Sequence, residues 1–371
     1  MHDIIIIGGG LSGLTNAIQL SAAGLDVLLV EKNAYPFHRV CGEYISNEVK
    51  PFLKSIGADV DVLNPSSIQK LTVTSPYGTK LETTLDMGAF GISRYVFDLY
   101  LYELALKKGC IVKLNTQVQD VTFQEDFFRV KLSDGTEEKA KIVLGSFGKR
   151  ANLDRLLNRK FFFERSPYIG VKYHIKTDFP RDEIALHNFK DGYCGISAIE
   201  EDKYCFCYLT TRENLKKSGT VEEMEKTILY KNPHLKNIFQ NAEFLFDKPE
   251  IINEISFEKK TTVENHLLMS GDSAGMIAPL CGNGMSMAIH AAKIVSDCIL
   301  KHYKRETFIR ENLEKEYSQR WNDAFSKRLY IGRKIQQLFG QEFMTEAVIR
   351  SLKLMPPLTN WLVKQTHGKK I

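Results

Sequence analysis

No apolar run in this chain approaches the ~18–20 residues that cross a bilayer as a helix. No leader with a basic, then apolar, then small-residue pattern opens it. The seven cysteines include no C-x-x-C pair, so a zinc site or a thioredoxin-type motif has no support, and no metal site is expected. Their odd number suits free thiols in a reducing, cytoplasmic compartment. Charge of one sign is scarce too. Fifty Lys+Arg against 45 Asp+Glu leave a formal +5, too little to argue for nucleic acid. Repeats, low-complexity linkers and Ser-His-Asp spacings are absent. What is present is 371 residues, 43% hydrophobic and 26% charged, enough for two or three ordinary globular domains.

The first thirty residues carry most of the information. Ile4–Ile7 is a short, wholly apolar, β-branched run, which reads as a buried parallel strand. GGGLSG follows, setting Gly8, Gly10 and Gly13 at G-x-G-x-x-G spacing, with Leu11 and Ser12 between the last two. The next residues have helical periodicity up to Gly24, a C-cap. A second strand, Val27–Val30, ends in Glu31, followed by Lys32. Gly8 permits the tight turn, Gly10 lets the backbone approach a pyrophosphate, and Gly13 lets helix and strand pack closely. The helix N-terminus attracts the anion. A carboxylate ending the second strand accepts ribose hydroxyls and repels a 2′-phosphate, so the nucleotide is FAD or NAD rather than NADP.

A second cluster, HLLMSGDSAGMIAPLCGNGMSMAIHAA, lies about 240 residues further on. Leu267–Ser270 reads as a strand leading into Gly271-Asp272. Pro279 follows, then Gly282-Asn283-Gly284-Met285 and a helix of small residues. With both clusters in place the chain resembles FAD-dependent oxidoreductases of the para-hydroxybenzoate hydroxylase type. That superfamily holds aromatic-ring monooxygenases, flavin halogenases and geranylgeranyl reductases. Its G-D-x(6)-P motif is matched by Gly271, Asp272 and Pro279. Arg94, Phe97, Asp98 and Leu101 are similar to its R-x-x-F-D-x-x-L helix, and Cys41-Gly42 within HRVCGE to the K-x-C-G segment of geranylgeranyl reductases.

The resemblance implies an α/β fold: a Rossmann-like (GR2-type) FAD-binding domain, an antiparallel β-sheet substrate domain and a C-terminal helical segment. It implies that Asp272 holds the ribityl chain and that Gly282–Met285 face the flavin pyrimidine edge. Arg94 approaches the cofactor, Arg39, Val40, Cys41 and Gly42 border it, and Val118 lies near the adenine. Three departures stand out. The family's middle Asp-Gly motif is replaced by Gly145-Ser146-Phe147-Gly148-Lys149-Arg150, which puts direct use of NAD(P)H as electron donor in question. The halogenase W-x-W-x-I-P signature is missing, and so is the tryptophan-containing segment of geranylgeranyl reductases.

The expected layout is an FAD-binding domain from 1–155 and 261–300, a substrate domain from 156–260 and a helical region from 301–371. The hairpin at 70–85, turning at Pro76-Tyr77-Gly78, is placed to join the substrate domain. Within the FAD domain a strand over 121–132 and another over 139–144 form a meander. In the substrate domain, strands are expected at 169–175, 183–188, 192–199, 204–210, 243–246 and 254–257, with a helix over 221–230. Residues 301–371 hold 15 Lys+Arg against 7 Asp+Glu. This is either a solvated helical cap or a contact for an anionic membrane surface or acidic carrier, the latter suiting the apolar, proline-broken LKLMPPLTNWLV stretch.

Flavin enzymes need few protein acids, because the cofactor carries the chemistry. Cys41 is the candidate reactive group above the flavin, against plain packing. Glu43 is a candidate substrate-side base or anchor, against an exposed loop carboxylate. Tyr168, Tyr173, His174 and Phe161–Phe163 line a pocket or form core. Cys205 and Cys207 share one face of a strand. Three functions follow. The first is a monooxygenase hydroxylating an aromatic or unsaturated lipophilic molecule through a flavin C4a-hydroperoxide. The second is a reductase of isoprenoid double bonds. The third is a non-catalytic FAD-binding electron-transfer module. A lipophilic substrate and an electron-donor reductase are the expected partners.

Overall fold

The apolar run near the N-terminus forms the strand His2–Ile7 at the middle of a sheet. In the computed structural model, which describes all residues but 278–281, 304–306, 339–340 and 367, Ile4 to Ile7 are at most 4% exposed. Ile6 pairs in parallel with Leu29 of Val27–Val30 on one side and with Leu144 of Glu137–Gly145 on the other. Ile111–Lys113 extends the sheet beyond Val27–Val30, and Leu267–Met269 beyond Glu137–Gly145. The second glycine cluster thus leaves its strand two positions away from the first, with Glu137–Gly145 between them. The helix Leu11–Ala22 lies on this sheet, against Arg94–Lys107 and Gly284–Tyr303.

The second sheet has nine strands. Tyr168–Lys176, Tyr204–Thr211, Gly192–Ala198 and Glu183–Phe189 are joined antiparallel in that order. Glu183–Phe189 then pairs in parallel with Ser66–Thr74, whose hairpin partner is Lys80–Gly91. Tyr44–Ser46 closes that edge. The early hairpin therefore belongs to this sheet, and one pair in it is parallel rather than antiparallel. Among the described residues the C-terminal helices are Arg310–Leu338, Glu342–Lys353 and Pro356–Thr366.

Local turn chemistry accounts for the differences from the sequence reading. The strand expected over 121–132 is two strands, Val118–Gln124 and Phe127–Leu132, because Glu125 and Asp126 take positive φ and make a two-residue hairpin. The strand expected at 254–257 lies at Glu250–Asn253, and Glu254, with φ +60°, ends it. Helices Arg212–Ser218 and Pro233–Asn241 went unread. Thr211 and Asn232 cap them, the latter followed by proline at the first helical position.

Candidate functional site

The glycine loop has the geometry that its spacing implies. Gly8 sits at φ +100°, where a Cβ would stand 2.5 Å from the Ser146 carbonyl oxygen, and a Cβ on Gly13 would collide with the Gly8 oxygen. At Gly10 the nearest heavy atom to such a Cβ is Arg94 Nη2 at 3.8 Å, so that backbone face is open for a ligand. Leu11 and Ser12, both buried, open the helix behind it. Glu31 is 4% exposed; its Oε2 accepts from the Gly9 amide at 2.8 Å and its Oε1 from the Asn33 amide at 3.0 Å. Lys32 beside it is exposed. Val118 is buried two residues past Thr116, whose amide donates to the Glu31 carbonyl at 3.1 Å.

The two clusters, far apart in sequence, meet. The Ser12 and Ser270 hydroxyls are 2.6 Å apart, and the Ser270 amide donates to the Gly145 carbonyl. Gly271 turns at φ +67°, with Ser12 Cβ 2.9 Å from where a Cβ would be. The backbone oxygen of Asp272 accepts from Lys260 Nζ at 2.8 Å, while its carboxylate takes no hydrogen bond from the described residues. Pro279 lies outside the described residues. Gly282 has φ +64° against the Tyr44 ring. Asn283 is fully buried, its Nδ2 3.5 Å from Glu48, and Gly284 and Met285 start the helix whose N-terminal amides face this region.

The turn from Arg39 to Glu43 joins the sheets. Three of its carbonyls are taken by side chains of the second sheet. Lys172 Nζ donates to Arg39 O at 3.1 Å, Cys205 Sγ to Cys41 O at 3.2 Å, and Ser197 Oγ to Gly42 O at 3.3 Å. Val40 packs on Gly170 of the same sheet. Because a trans peptide sets N–H opposite C=O, the Val40 and Gly42 amides turn away from the sheet. No heavy atom lies within 4 Å of a Cβ built on Gly42. The turn thus offers amides and a side-chain-free face to open space. Cys41 is half-buried there, beside Arg94.

Glu43 corrects the sequence reading. It is neither a substrate-side base nor an exposed loop carboxylate but is fully buried at φ +52°. Its oxygens accept from Lys172 Nζ at 2.5 Å, His174 Nε2 at 2.7 Å and the Arg94 amide at 2.8 Å. Burial alone would raise its pKa, but the Lys172 charge and the His174 hydrogen bond outweigh it and hold the carboxyl at about 2. A carboxylate so saturated is an anchor for the turn. Arg94 in turn grips Asp98 through two bonds of 2.6 and 2.7 Å, and Arg39 reaches Asp98 at 3.1 Å and Gly9 O at 3.3 Å.

The expected aromatic lining divides by strand alternation. Tyr173 points to the far side, where it and Tyr208 bond Glu225 at 3.0 and 2.7 Å. His174 and Lys172 face the turn, and His38 packs edge-on to His174 with ring centroids 5.2 Å apart. Phe163 is 62% exposed. Sequence reasoning missed Lys172, Ser197 and Lys260. For Lys172 a signal existed: a lysine two positions from a histidine inside an otherwise apolar strand. Ser197 and Lys260 carry none, since their partners are backbone carbonyls distant in sequence.

These residues fit FAD. Glu31 and the glycine loop match a ribose and a pyrophosphate, the Asp272 carboxylate, without a hydrogen bond among the described residues, a polyol chain, and the open faces of Gly42 and the Gly284 helix end a flavin ring. Comparison with known proteins agrees. The family described as FAD binding domain matches residues 1–320. The chain is 26% identical over 345 residues to the digeranylgeranylglycerophospholipid reductase of Methanosarcina acetivorans, covering 87% of this chain and 81% of that one. Among solved structures, a flavin-dependent brominase superposes with a TM-score of 0.79 at 18% identity, over 98% of this chain and 93% of that one. A flavin-dependent halogenase gives 0.78 at 21% identity over 92% of this chain, which spans 66% of the halogenase. At such identities the structural likeness speaks for the fold alone. The chain belongs to the FAD binding domain family and is an FAD-dependent oxidoreductase.

Proposed function

We propose that this oxidoreductase saturates carbon–carbon double bonds of a lipophilic, isoprenoid-like molecule. The observation that carries the reading is the set of thiols at the cofactor-facing turn. Cys41 lies in the turn, Cys205 donates to its carbonyl, and Cys207 follows on the same strand face. Burial pushes the Cys205 and Cys207 thiols up and keeps them protonated, whereas Cys41 is half-buried and reachable as a proton donor. Saturating an alkene needs two electrons and two protons. Reduced FAD, when bound, supplies the electrons with one hydrogen. The Cys41 thiol supplies the remaining proton to the second carbon and regains it from solvent. The named activity of the Methanosarcina relative supports the substrate class.

The second reading, a monooxygenase of an unsaturated or aromatic lipophile, is favoured by the missing tryptophan-containing segment of prenyl reductases. The free thiols fit a cytoplasmic setting for either, and reducing equivalents come from NAD(P)H or a partner reductase. The deciding experiment is anaerobic. Pre-reduced holoprotein is mixed with a digeranylgeranyl lipid, and flavin absorbance and product mass are followed. Reoxidation with gain of one H2 per double bond supports the reductase. No reoxidation until oxygen is admitted, followed by a hydroxylated product, supports the monooxygenase.

A further inference from the structure

The helices Glu342–Lys353 and Pro356–Thr366 carry a surface that the flavin site does not use. Of the seventeen large apolar side chains exposed among the described residues, six lie between 343 and 361: Phe343, Met344, Leu354, Met355, Leu358 and Trp361. Phe343 and Leu354 are each 83% exposed, and Trp361 is 53% exposed. They stand opposite the packed side of these helices, where Thr345, Ile349 and Thr359 are buried. Phe343, Ala347, Arg350 and Leu354 follow one helical stripe, while Thr345, Ile349 and Leu352 follow the inner one. Apolar side chains scattered singly are ordinary, but a contiguous cluster marks an interaction surface.

The charge around it selects the partner. Residues 341–371 hold five cations, Arg350, Lys353, Lys364, Lys369 and Lys370, against two carboxylates, Glu342 and Glu346. All five cations are exposed, and Glu346 is bound by Thr79 and Arg350. Asp86, paired with Lys364 at 2.8 Å, is the nearby acid from the hairpin. No helix among the described residues is long and apolar enough to cross a membrane. Aromatic and aliphatic side chains with Arg350 and Lys353 among them on short helices suit lying on a surface of anionic lipid, while Lys364 and Lys369 line the cleft behind.

A cleft of about 650 Å³ opens behind the same helix. Asn360, Val363 and Lys364 line it from the side opposite Leu358 and Trp361, with Leu85, Met87 and Arg328 across from them. Arg328 ion-pairs with Glu48, which also approaches Asn283 at the flavin-side helix end. The cleft is thus connected, through Arg328 and Glu48, to Asn283 before the Gly284–Tyr303 helix.

We propose that the chain docks peripherally on an anionic bilayer through the face carrying Phe343, Leu354 and Trp361. This stands apart from the reductase reading, because binding is measured without turnover. The FAD-loaded protein is floated with phosphatidylcholine vesicles, with and without phosphatidylglycerol, and tryptophan emission is followed. Trp321 is 5% exposed in the core, so a vesicle-induced blue shift reports Trp361. The expected result is binding to anionic vesicles that weakens at least about tenfold on neutral vesicles or in high salt. F343S/L354S should abolish it with the flavin spectrum unchanged, and R350E/K353E should do the same. Equal recovery with and without vesicles overturns the proposal. So does a concentration-dependent dimer of the wild type that F343S/L354S converts to monomer, which would assign the face to a second copy.

Discussion

The Glu43 carboxylate and the Lys172 ammonium lie 2.5 Å apart with neither side chain exposed to solvent. One belongs to the turn after the second strand, the other to the first strand of the second sheet's antiparallel run. Their contact fixes the Cys41-Gly42 turn between the two sheets. Removing one partner of a buried pair strands the other charge, which costs about 3–5 kcal/mol. K172M should lower the apoprotein's stability by that order, and E43L/K172M should cost less than the two single changes summed. Urea denaturation of the four proteins measures this. A K172M protein as stable as wild type would contradict the anchoring role.

Acid should destabilise the fold in two windows. Burial lowers His187 to about 3 and His290 and His38 to about 4, so each is neutral when folded. The unfolded chain binds more protons as pH falls below about 6.5, and stability declines from there towards the folded values. Glu43, held at about 2, contributes stability that is whole above about 4.5 and lost between 4.5 and 2. Melting temperature against pH should fall first below about 6.5 and again below about 4.5. H187Q should flatten the upper step. A profile level down to pH 4 would contradict these assignments.

Much of the cofactor region was legible because its constraints are local. The run Ile4–Ile7, the three glycines and Glu31 occupy consecutive turns of chain, and steric demands at Gly8 and Gly13 allow no other residue. Glu43 was not legible. It sits in a loop whose sequence suits exposure, and its burial is decided by Lys172 and His174 more than a hundred residues later. The same holds for Tyr173 and His174, adjacent in sequence but on opposite faces of a strand whose orientation only the assembled sheet settles. The misplaced strands at 121–132 and 254–257 failed at non-glycine residues with positive φ, which propensity alone seldom signals.

Reduction by NADH or NADPH alone should be slow. The Gly145–Arg150 stretch has no aspartate. Its Gly148 amide is bound by Ser273 at 3.0 Å, and Arg150 is engaged by Glu254 at 3.3 Å and the Phe162 carbonyl. Anaerobic stopped-flow with saturating nicotinamide measures it. Bleaching accelerated by a ferredoxin or flavodoxin system is the expected outcome, whereas bleaching at about tens per second by either nicotinamide alone, without substrate, contradicts it.

Cys41→Ser should retain FAD and lose turnover, because the serine preserves the turn but is a far weaker proton donor. Cys205→Ser should keep both, since its hydroxyl still donates to the Cys41 carbonyl. Flavin reoxidation by substrate under anaerobic conditions distinguishes the two variants, and equal rates for Cys41→Ser and wild type would remove Cys41 from the chemistry.

Flavin content is the most direct measure of the site itself. Purified protein should carry one FAD per chain, by absorbance against protein concentration. Glu31→Ala should raise the FAD dissociation constant at least about tenfold with little change in flavin potential, since charge-assisted bonds contribute about 1.5–3 kcal/mol each. Asp272→Ala should disturb both, being placed for the ribityl chain near the reacting ring. A colourless protein that cannot be reconstituted with FAD, or one whose affinity is unchanged in both variants, would contradict a cofactor spanning the two glycine clusters.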